Sequence, residues 1–372
     1  MIPYGYQSIS EDDVIAVTNA LRKEYLTTGP LVIEFEKEIE KITGSPTVVV
    51  TSGTAALHCA YKAINIKPGD EVITPANTFI ATQATAALLG ARIRFADIDY
   101  GTGNINPESA EKLINRKTKA ITAVDFAGHP AEIDELRNIC NKHGIYLIED
   151  AAHSLGSSYK GKPVGSLADI TTFSFFPTKN ITSGEGGAIS SPNSELLERA
   201  RLFARQGLVR NEEKFILEKH GPWHQEVHEF GLNYRLPDIL CALGISQIKK
   251  LEQFKFIRKG IWERYNSEFK NIIDITTPSK KNYVDPVWHL YHLHVPTTRR
   301  LEIFNKLRSN GIGCQVNYFP AFMHPVFSKK DYSLKKLKNS LSFYNSEISL
   351  PIYPTLKDWE LEKTINVLKA LI

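Results

Sequence analysis

One lysine lies in a sequence context that could make its amine reactive. Lys179 follows the hydrophobic run at residues 171–176, and only Asn180 separates it from a glycine-rich turn, ITSGEGG. Dry surroundings destabilise an ammonium ion, so they lower the pKa of a lysine and leave the nucleophilic amine that a Schiff base requires. The competing interpretation is a surface lysine on a loop, with its aliphatic stem packed and its charge in water.

Two other segments carry groups that complement such a lysine. The run VVVTSGTAAL at residues 48–57 predicts a strand, a tight glycine turn and a helix with a threonine at its head. Free N–H groups and the helix dipole at that point suit a phosphate, although an ordinary capped turn has the same pattern. The run YLIED then places Glu149 and Asp150 at the C-terminal end of a strand, where ligands of α/β sheets bind.

The strand-end aspartate has several possible roles. Asp150 could hold a magnesium ion, pair with a protonated ring nitrogen or cap the following turn, and His153 could contact a ligand or be structural. Lys179 lies 29 residues after Asp150. A phosphate turn, a strand-end acid and a lysine beside a glycine-rich turn are the three parts that a pyridoxal phosphate site needs.

The elements that position these residues alternate between strands and helices. Short β-branched runs at residues 48–50, 71–74, 92–95, 120–124 and 146–148 each follow a helical stretch, which predicts a mostly parallel sheet covered by helices. Residues 170–176 and 187–190 predict a hairpin, so the sheet should be mixed. We expect residues 238–269 to form one long helix, followed by a strand at 288–295, a helix at 302–309 and a second strand at 312–318.

This order of elements predicts an α/β fold with two domains. Residues 1–237 should form a large cofactor-binding domain, and residues 238–372 should form the linking helix and a smaller α+β domain.

Composition favours a small-molecule partner. The 372 residues carry a formal charge of +4 without a run of five like charges, so no nucleic-acid surface is expected. The N-terminus lacks a signal pattern and no apolar run reaches the roughly 18 residues that a membrane span needs, which favours a cytoplasmic location. Cys59, Cys140, Cys241 and Cys314 stand more than 70 positions apart, so we expect reduced, half-buried packing residues and no metal site.

The motifs SGTAAL, PANTFIAT, IEDAAHS, FSFFPTKNITSGEGG and GLNYRL, in this order, resemble the DegT-type nucleotide-sugar aminotransferases. That family is a branch of the fold-type I pyridoxal phosphate enzymes. The resemblance implies that Lys179 forms the internal aldimine, that Asp150 pairs with the pyridinium nitrogen and that His153 lies near the cofactor's phenolic oxygen. It further implies that the cofactor phosphate and ring are held by Gly53, Thr54, Ser174 and Phe79. By the same resemblance the enzyme is a homodimer, in which Asn233 completes the neighbour's phosphate site.

Two segments indicate the class of sugar on which the most similar family members act. Residues 124–144 and 221–238 are most similar to family members of pseudaminic acid biosynthesis, which aminate C4 of a UDP-4-keto-6-deoxy-N-acetylhexosamine of the L-altro series. L-glutamate is the donor and becomes 2-oxoglutarate. The implied substrate contacts are Tyr4, Thr27, Thr28, Asn317 and Tyr318.

Two features of the sequence bear on the alternatives. The family segment HYxP reads NYFP here, with Asn317 in place of the histidine. Related sugar dehydratases carry histidine where this chain has Lys179, which favours transamination. The remaining hypotheses are an aminotransferase for another UDP- or dTDP-linked keto-deoxysugar, a pyridoxal phosphate dehydratase or lyase, and a non-enzymatic binding protein.

Overall fold

A mixed β-sheet forms the centre of the larger part of the chain. The computed structural model describes residues 1–327 and 333–372. Within them, seven strands are ordered β1-β9-β8-β5-β4-β2-β3. The bounds of these strands are β1 Thr47–Val50, β2 Glu71–Pro75, β3 Arg92–Ala96, β4 Thr118–Val124, β5 Tyr146–Asp150, β8 Ile170–Ser174 and β9 Gly187–Ser190.

The direction of the strands confirms the predicted mixed, mostly parallel sheet. The pairs β8–β5, β5–β4, β4–β2 and β2–β3 are parallel, whereas β9 runs antiparallel to both of its neighbours, β1 and β8. The pairing of β8 with β9 is the predicted hairpin. Because β5 and β8 are parallel neighbours, their carboxyl ends meet at one edge of the sheet.

Helices cover both faces of this sheet, as the alternating pattern predicts. Among them, α3 and α7 pack against each other, and α3 lies over β8 and β9. The helices of the described residues are α1 Glu11–Leu21, α2 Pro30–Thr43, α3 Gly53–Ala63, α4 Ala81–Leu88, α5 Pro107–Glu111, α6 Ile133–His143, α7 Ser194–Ala204, α8 Asp238–Ile248, α9 Leu251–Phe269, α10 Arg300–Ser309, α11 Lys338–Ser346 and α12 Asp358–Leu371.

The single helix predicted for residues 238–269 is wrong, because the chain forms two helices, α8 and α9, separated at Lys249 and Lys250. The physical reason is a change in the core that each helix faces. Apolar residues of α8 pack with α1, α2 and the strands β1, β8 and β9, whereas those of α9 beyond Leu251 pack mostly with the C-terminal residues. Lys250 lies at the break and donates to Asp13 at the start of α1.

The C-terminal residues form a small α+β unit around a two-stranded sheet. The expected second strand at residues 312–318 is wrong: β13 (Tyr291–His294) pairs antiparallel with β14 (Glu347–Leu350). Residues 312–318 form only isolated bridges, from Ile312 to Ile2 and from Gln315 to Ser349. Because its partners change within a few residues, this segment cannot build a continuous ladder.

Short strands complete the structure away from the main sheet. They pair as β10 (Leu208–Val209) with β11 (Glu226–Val227), and as β12 (Val284–Asp285) with β6 (Ser158–Tyr159) and β7 (Lys162–Pro163). No helix among the described residues is long and apolar enough to cross a membrane.

The four cysteines are free, and each is buried more completely than the sequence led us to expect.

Candidate active site

The carboxyl ends of β5 and β8 bring a lysine and an aspartate close together. Asp150 is the last residue of β5, and Lys179 follows the end of β8 by five residues. Burial lowers the pKa of Lys179 to about 8, and the nearby carboxylate of Asp150 opposes this shift. A substantial fraction of Lys179 is therefore a neutral amine near physiological pH, which is the form that attacks a carbonyl carbon.

A threonine that sequence reasoning did not single out orients Asp150. Thr82 Oγ1, on α4, donates to Asp150 Oδ2 over 2.7 Å, and the Ala152 N–H donates to Oδ1 over 3.3 Å. Burial raises the pKa of Asp150, while the Thr82 hydrogen bond opposes that change. Thr82 belongs to the PANTFIAT motif, but only the folded structure shows that its hydroxyl, in the first turn of α4, reaches Asp150.

The N-terminus of α3 forms a cradle for an anion beside the end of β8. Ser52 caps the helix by accepting from Ala55 N–H over 3.0 Å, so Ser52 stands at the helix head where a threonine was expected. The N–H groups of Gly53 and Thr54 have no partner among the described residues. They point out of the first turn of an eleven-residue helix, which is the arrangement that binds phosphate.

Gly53 lies directly against Ser174. A Cβ atom added to Gly53 would stand 2.8 Å from Ser174 Cβ, which no real contact tolerates. The missing side chain therefore lets α3 approach the end of β8, and the Ser174 hydroxyl joins the exposed N–H groups of the helix.

His153 packs against the rings of Tyr318 and His289. Tyr318 Oη and His153 Nε2 are 3.3 Å apart, and the ring centroids of His153 and His289 are 4.3 Å apart. Burial lowers the pKa of His153 well below its usual value, and the charge of Lys179 adds to this shift, so the imidazole is neutral. His153 Nδ1 is buried without a partner among the described residues.

Phe79 lies beside Tyr318 at the protein surface. Its ring centroid lies 6.0 Å from that of Tyr318, and the side chain is 57% exposed. An exposed aromatic face at the mouth of the pocket could stack on a planar ligand ring.

Tyr4 and Asn317 form a hydrogen-bonded group next to Tyr318. Asn317 Nδ2 donates to Tyr4 Oη and to Ser349 Oγ, and the Asn317 N–H donates to Glu347 over 2.8 Å. The next N–H group, of Tyr318, donates to Asn77 Oδ1 over 3.0 Å. Residues from both ends of the chain thus join the strand-end residues in one pocket.

Asn77 is a second residue that sequence reasoning missed. Its Nδ2 is buried without a partner among the described residues, although Asn77 lies within the quoted motif PANTFIAT.

Three of the predicted site residues lie elsewhere in the chain's own fold. Thr27 and Thr28 are exposed and line a separate cavity of about 680 Å³ beside Arg205 and Arg235. Asn233 is exposed and forms a bridge with Arg205. Among the described residues, these side chains make no contact with Lys179 or Asp150.

The groups around Lys179 fit pyridoxal phosphate. The free N–H groups of α3 and the Ser174 hydroxyl match its phosphate, the buried Asp150 matches a protonated ring nitrogen, and the Lys179 amine matches its aldehyde. The buried His153 Nδ1 has no partner among the described residues, and a bound ligand would account for such an unsatisfied buried polar atom.

Comparisons with known proteins agree with this chemistry. The model of the DegT/DnrJ/EryC1/StrS aminotransferase family matches residues 7–369. The UDP-4-amino-4,6-dideoxy-N-acetyl-beta-L-altrosamine transaminase of Campylobacter jejuni serotype O:23/36 is 40% identical over 98% of this chain and 96% of its own length.

Two solved structures have the same fold. Helicobacter pylori PseC, an aminotransferase involved in the biosynthesis of pseudoaminic acid, has a TM-score of 0.93 and 31% identity, covering 100% of this chain and 98% of that one. The PLP form of Spr1654 from Streptococcus pneumoniae has a TM-score of 0.92 and 29% identity, covering 100% and 98% of the two chains.

Proposed function

Because the chain belongs to the DegT/DnrJ/EryC1/StrS aminotransferase family, we propose that it transfers the amino group of L-glutamate to C4 of a nucleotide-linked keto sugar. The proposed acceptor is a UDP-4-keto-6-deoxy-N-acetylhexosamine of the L-altro series. The chain is a sugar aminotransferase that uses pyridoxal phosphate. The observation that carries the proposed site is the pairing of a low-pKa lysine with Asp150 beside the free N–H groups of α3.

Lys179 is proposed as the residue that attaches the cofactor and moves the proton. Bound pyridoxal phosphate supplies the aldehyde that carries the amino group and a ring that accepts the electron pair released at the donor's Cα. Lys179 Nζ would move the proton from that Cα to the cofactor's aldehyde carbon, and in the second half of the reaction it would move a proton from that carbon to C4 of the sugar. A pKa of about 8 suits both directions, because the amine accepts and releases protons near neutral pH.

Asp150 is proposed to hold the cofactor's ring nitrogen in its protonated form. Burial alone raises the pKa of the carboxyl, but a cation placed against it would reverse that shift and stabilise the ion pair. The Thr82 hydroxyl fixes the carboxylate in the orientation needed.

The phosphate is proposed to lie on the N–H groups of Gly53 and Thr54 and on the Ser174 hydroxyl. His153 and Tyr318 would face the cofactor's phenolic oxygen, and Phe79 would stack on its ring. These contacts fix the ring at both ends, so Lys179 Nζ meets the reacting carbon in one orientation.

The sugar is proposed to lie against Tyr4, Asn317 and Tyr318. A C4 carbonyl suits this pocket, because the nucleotide can remain outside while the far edge of the sugar ring reaches Lys179. The similarity to the altrosamine transaminase supports the N-acetylated, UDP-linked substrate. Asn317, at the position where the family segment has histidine, uses its amide group to hold Tyr4 and Ser349.

Asn233, Thr27 and Thr28 are proposed to act in a second copy of the chain. Their exposure and their distance in the fold from Lys179 support a homodimer in which each chain completes its neighbour's site. Closed two-fold dimers are also the commonest oligomers of soluble enzymes.

Product analysis tests the proposed reaction. The purified protein should convert L-glutamate to 2-oxoglutarate only when a UDP-4-keto-6-deoxy-N-acetylhexosamine is supplied, with one amino sugar formed per 2-oxoglutarate. A dTDP-4-keto-6-deoxyglucose, which lacks the N-acetyl group, should react with a kcat/KM lower by roughly 10⁴-fold if that group is hydrogen-bonded in the site. Equal values would contradict the proposed sugar, and a deoxygenated product without 2-oxoglutarate would indicate a dehydratase.

A further inference from the structure

Two buried carboxyl groups lie behind Asp150 and take no part in the reaction proposed above. Asp125 directly follows β4, Glu149 precedes Asp150 in β5, and the side chains of Asp125 and Glu149 are fully buried. Glu149 pairs in register with Ala123 of β4 and projects to the opposite face of the sheet from Asp150. The Asp125 N–H donates to the Asp150 carbonyl over 3.1 Å.

Asp125 receives a hydrogen bond on each carboxyl oxygen, whereas Glu149 does not. Asp125 accepts on both oxygens, from Ala131 N–H over 2.9 Å and from the Ser154 hydroxyl over 2.6 Å. Glu149 Oε2 accepts from the Thr171 hydroxyl over 2.9 Å, and the Gly165 N–H also donates toward this carboxyl group, but Glu149 Oε1 is buried and has no close hydrogen-bond partner among the described residues. The two carboxyl groups lie within hydrogen-bonding contact of each other.

The surroundings offer too little positive charge for two carboxylates. Asp150 adds a third acidic group nearby, and Arg137, the cation that acts on Glu149, is bound to Asp169 over 2.8 Å. Neither Asp125 nor Glu149 forms an ion pair within the described part of the chain. Burial raises the pKa of both groups, that of Glu149 to about 7. Two buried carboxyls in contact cannot both be ionised without a cation, so a proton must lie between them.

We propose that Asp125 and Glu149 share one proton, held between Glu149 Oε1 and the Asp125 carboxyl group, and that this acid pair positions the cofactor-binding residues. The pair ties three segments together: Asp125 reaches Ser154, next to His153, and Glu149 reaches Thr171 in the strand that ends at Ser174. The Asp125 backbone holds Asp150 itself. The positioning role rests on the roles proposed for His153, Ser174 and Asp150 in holding pyridoxal phosphate. The shared proton rests only on the contacts of Asp125 and Glu149 with each other and with their neighbours.

Infrared difference spectroscopy tests the shared proton. When the spectrum of the Glu149→Gln variant is subtracted from that of the wild-type holoenzyme at neutral pH, the difference should show the C=O stretch of a protonated carboxylic acid. This band should shift in D₂O. Asp125→Asn should lose the same band, because the remaining Glu149 then ionises. Glu195→Gln, a matched change of an exposed residue on α7, should leave the band unchanged. A band that persists in Glu149→Gln would overturn the proposal.

The positioning role predicts that substitutions of Asp125 and Glu149 differ in how much they weaken cofactor binding. Glu149→Gln keeps a donor toward Asp125, so its dissociation constant for pyridoxal phosphate should stay within a few-fold of wild type. Glu149→Leu removes that donor and Asp125→Asn removes an acceptor for Ala131 or Ser154, so each should weaken cofactor binding roughly tenfold or more. Equal binding by Glu149→Gln and Glu149→Leu, or a tolerated Asp125→Asn, would contradict the role.

Far-UV circular dichroism of each variant separates weaker cofactor binding from misfolding. If Glu149→Leu does not fold, the comparison of Glu149→Gln with Asp125→Asn decides the test. The infrared result uses no substrate. It would therefore stand even if chemical labelling placed the cofactor on a lysine other than Lys179, which is the outcome that would overturn the proposed site.

Discussion

At the scale of single residues, the chemistry depends on how burial changes Lys179. Its amine lies beside Asp150 at the carboxyl end of the sheet, whereas Lys160 and Lys162 are exposed, and Lys160 is held by Asp134. Borohydride reduction of the holoenzyme followed by peptide mapping should therefore place the label on Lys179. Lys179→Ala should lower the transfer rate by at least about 10²–10⁴-fold, the contribution of a positioned acid/base, while Lys162→Ala retains activity. A label on Lys160 or Lys162 would contradict the assignment.

The same residue predicts a pH dependence for cofactor capture. Below a pKa of about 8 the reactive neutral amine falls tenfold per pH unit, so the rate at which the apoenzyme captures pyridoxal phosphate should rise with pH and level off above about 8. The Asp150 carboxylate raises the pKa of Lys179, so Asp150→Asn should move the midpoint to lower pH. Stopped-flow absorbance measures both profiles. An unchanged midpoint in Asp150→Asn would show that the two groups do not interact.

At the scale of secondary-structure elements, the first turn of α3 must lie close to the end of β8. Gly53→Ala improves helix propensity but would drive Cβ to 2.8 Å from Ser174 Cβ, so α3 or Ser174 must move and the phosphate contacts weaken. We expect a dissociation constant for pyridoxal phosphate raised roughly tenfold or more, because charge-assisted hydrogen bonds contribute about 1.5–3 kcal/mol each.

Gly260 provides the matched control for this prediction. It lies in α9 with open space where a Cβ would stand, so Gly260→Ala should stabilise the protein by about 0.5–1 kcal/mol without changing cofactor binding. Equilibrium unfolding and fluorescence titration compare the two variants. If Gly53→Ala bound pyridoxal phosphate as tightly as Gly260→Ala, the proposed phosphate cradle would be wrong.

At the scale of the whole molecule, the proposed sites combine residues of two chains. Mixing Lys179→Ala with Asn233→Asp should regenerate one complete site in each heterodimer, because the intact Lys179 and the intact Asn233 then meet across the interface. With random pairing, half of the dimers are heterodimers with one good site of two, so activity should reach about a quarter of wild type. Co-refolding followed by a coupled 2-oxoglutarate assay measures this. No gain over the separate variants, or an active monomer in ultracentrifugation, would contradict shared sites.

The sequence by itself determined which segments form the strands and helices of the sheet, in their order along the chain, and the types of the reactive residues. Alternation of β-branched runs with helical stretches is local information, and it sufficed for the mixed, mostly parallel sheet and for the hairpin of β8 and β9. The strand-end position of Asp150 and the glycine-rich turn after Lys179 are likewise properties of short segments.

Only the tertiary structure decided which distant groups meet. Thr82 on Asp150, Asn77 on Tyr318, and Tyr4 on Asn317 join residues that are 68, 241 and 313 positions apart, and no local pattern encodes such contacts. The same reason explains the errors at residues 249–250 and 312–318. A helix breaks where its two halves face different cores, and a strand needs a continuous partner, so both depend on packing that the chain acquires only when it is folded.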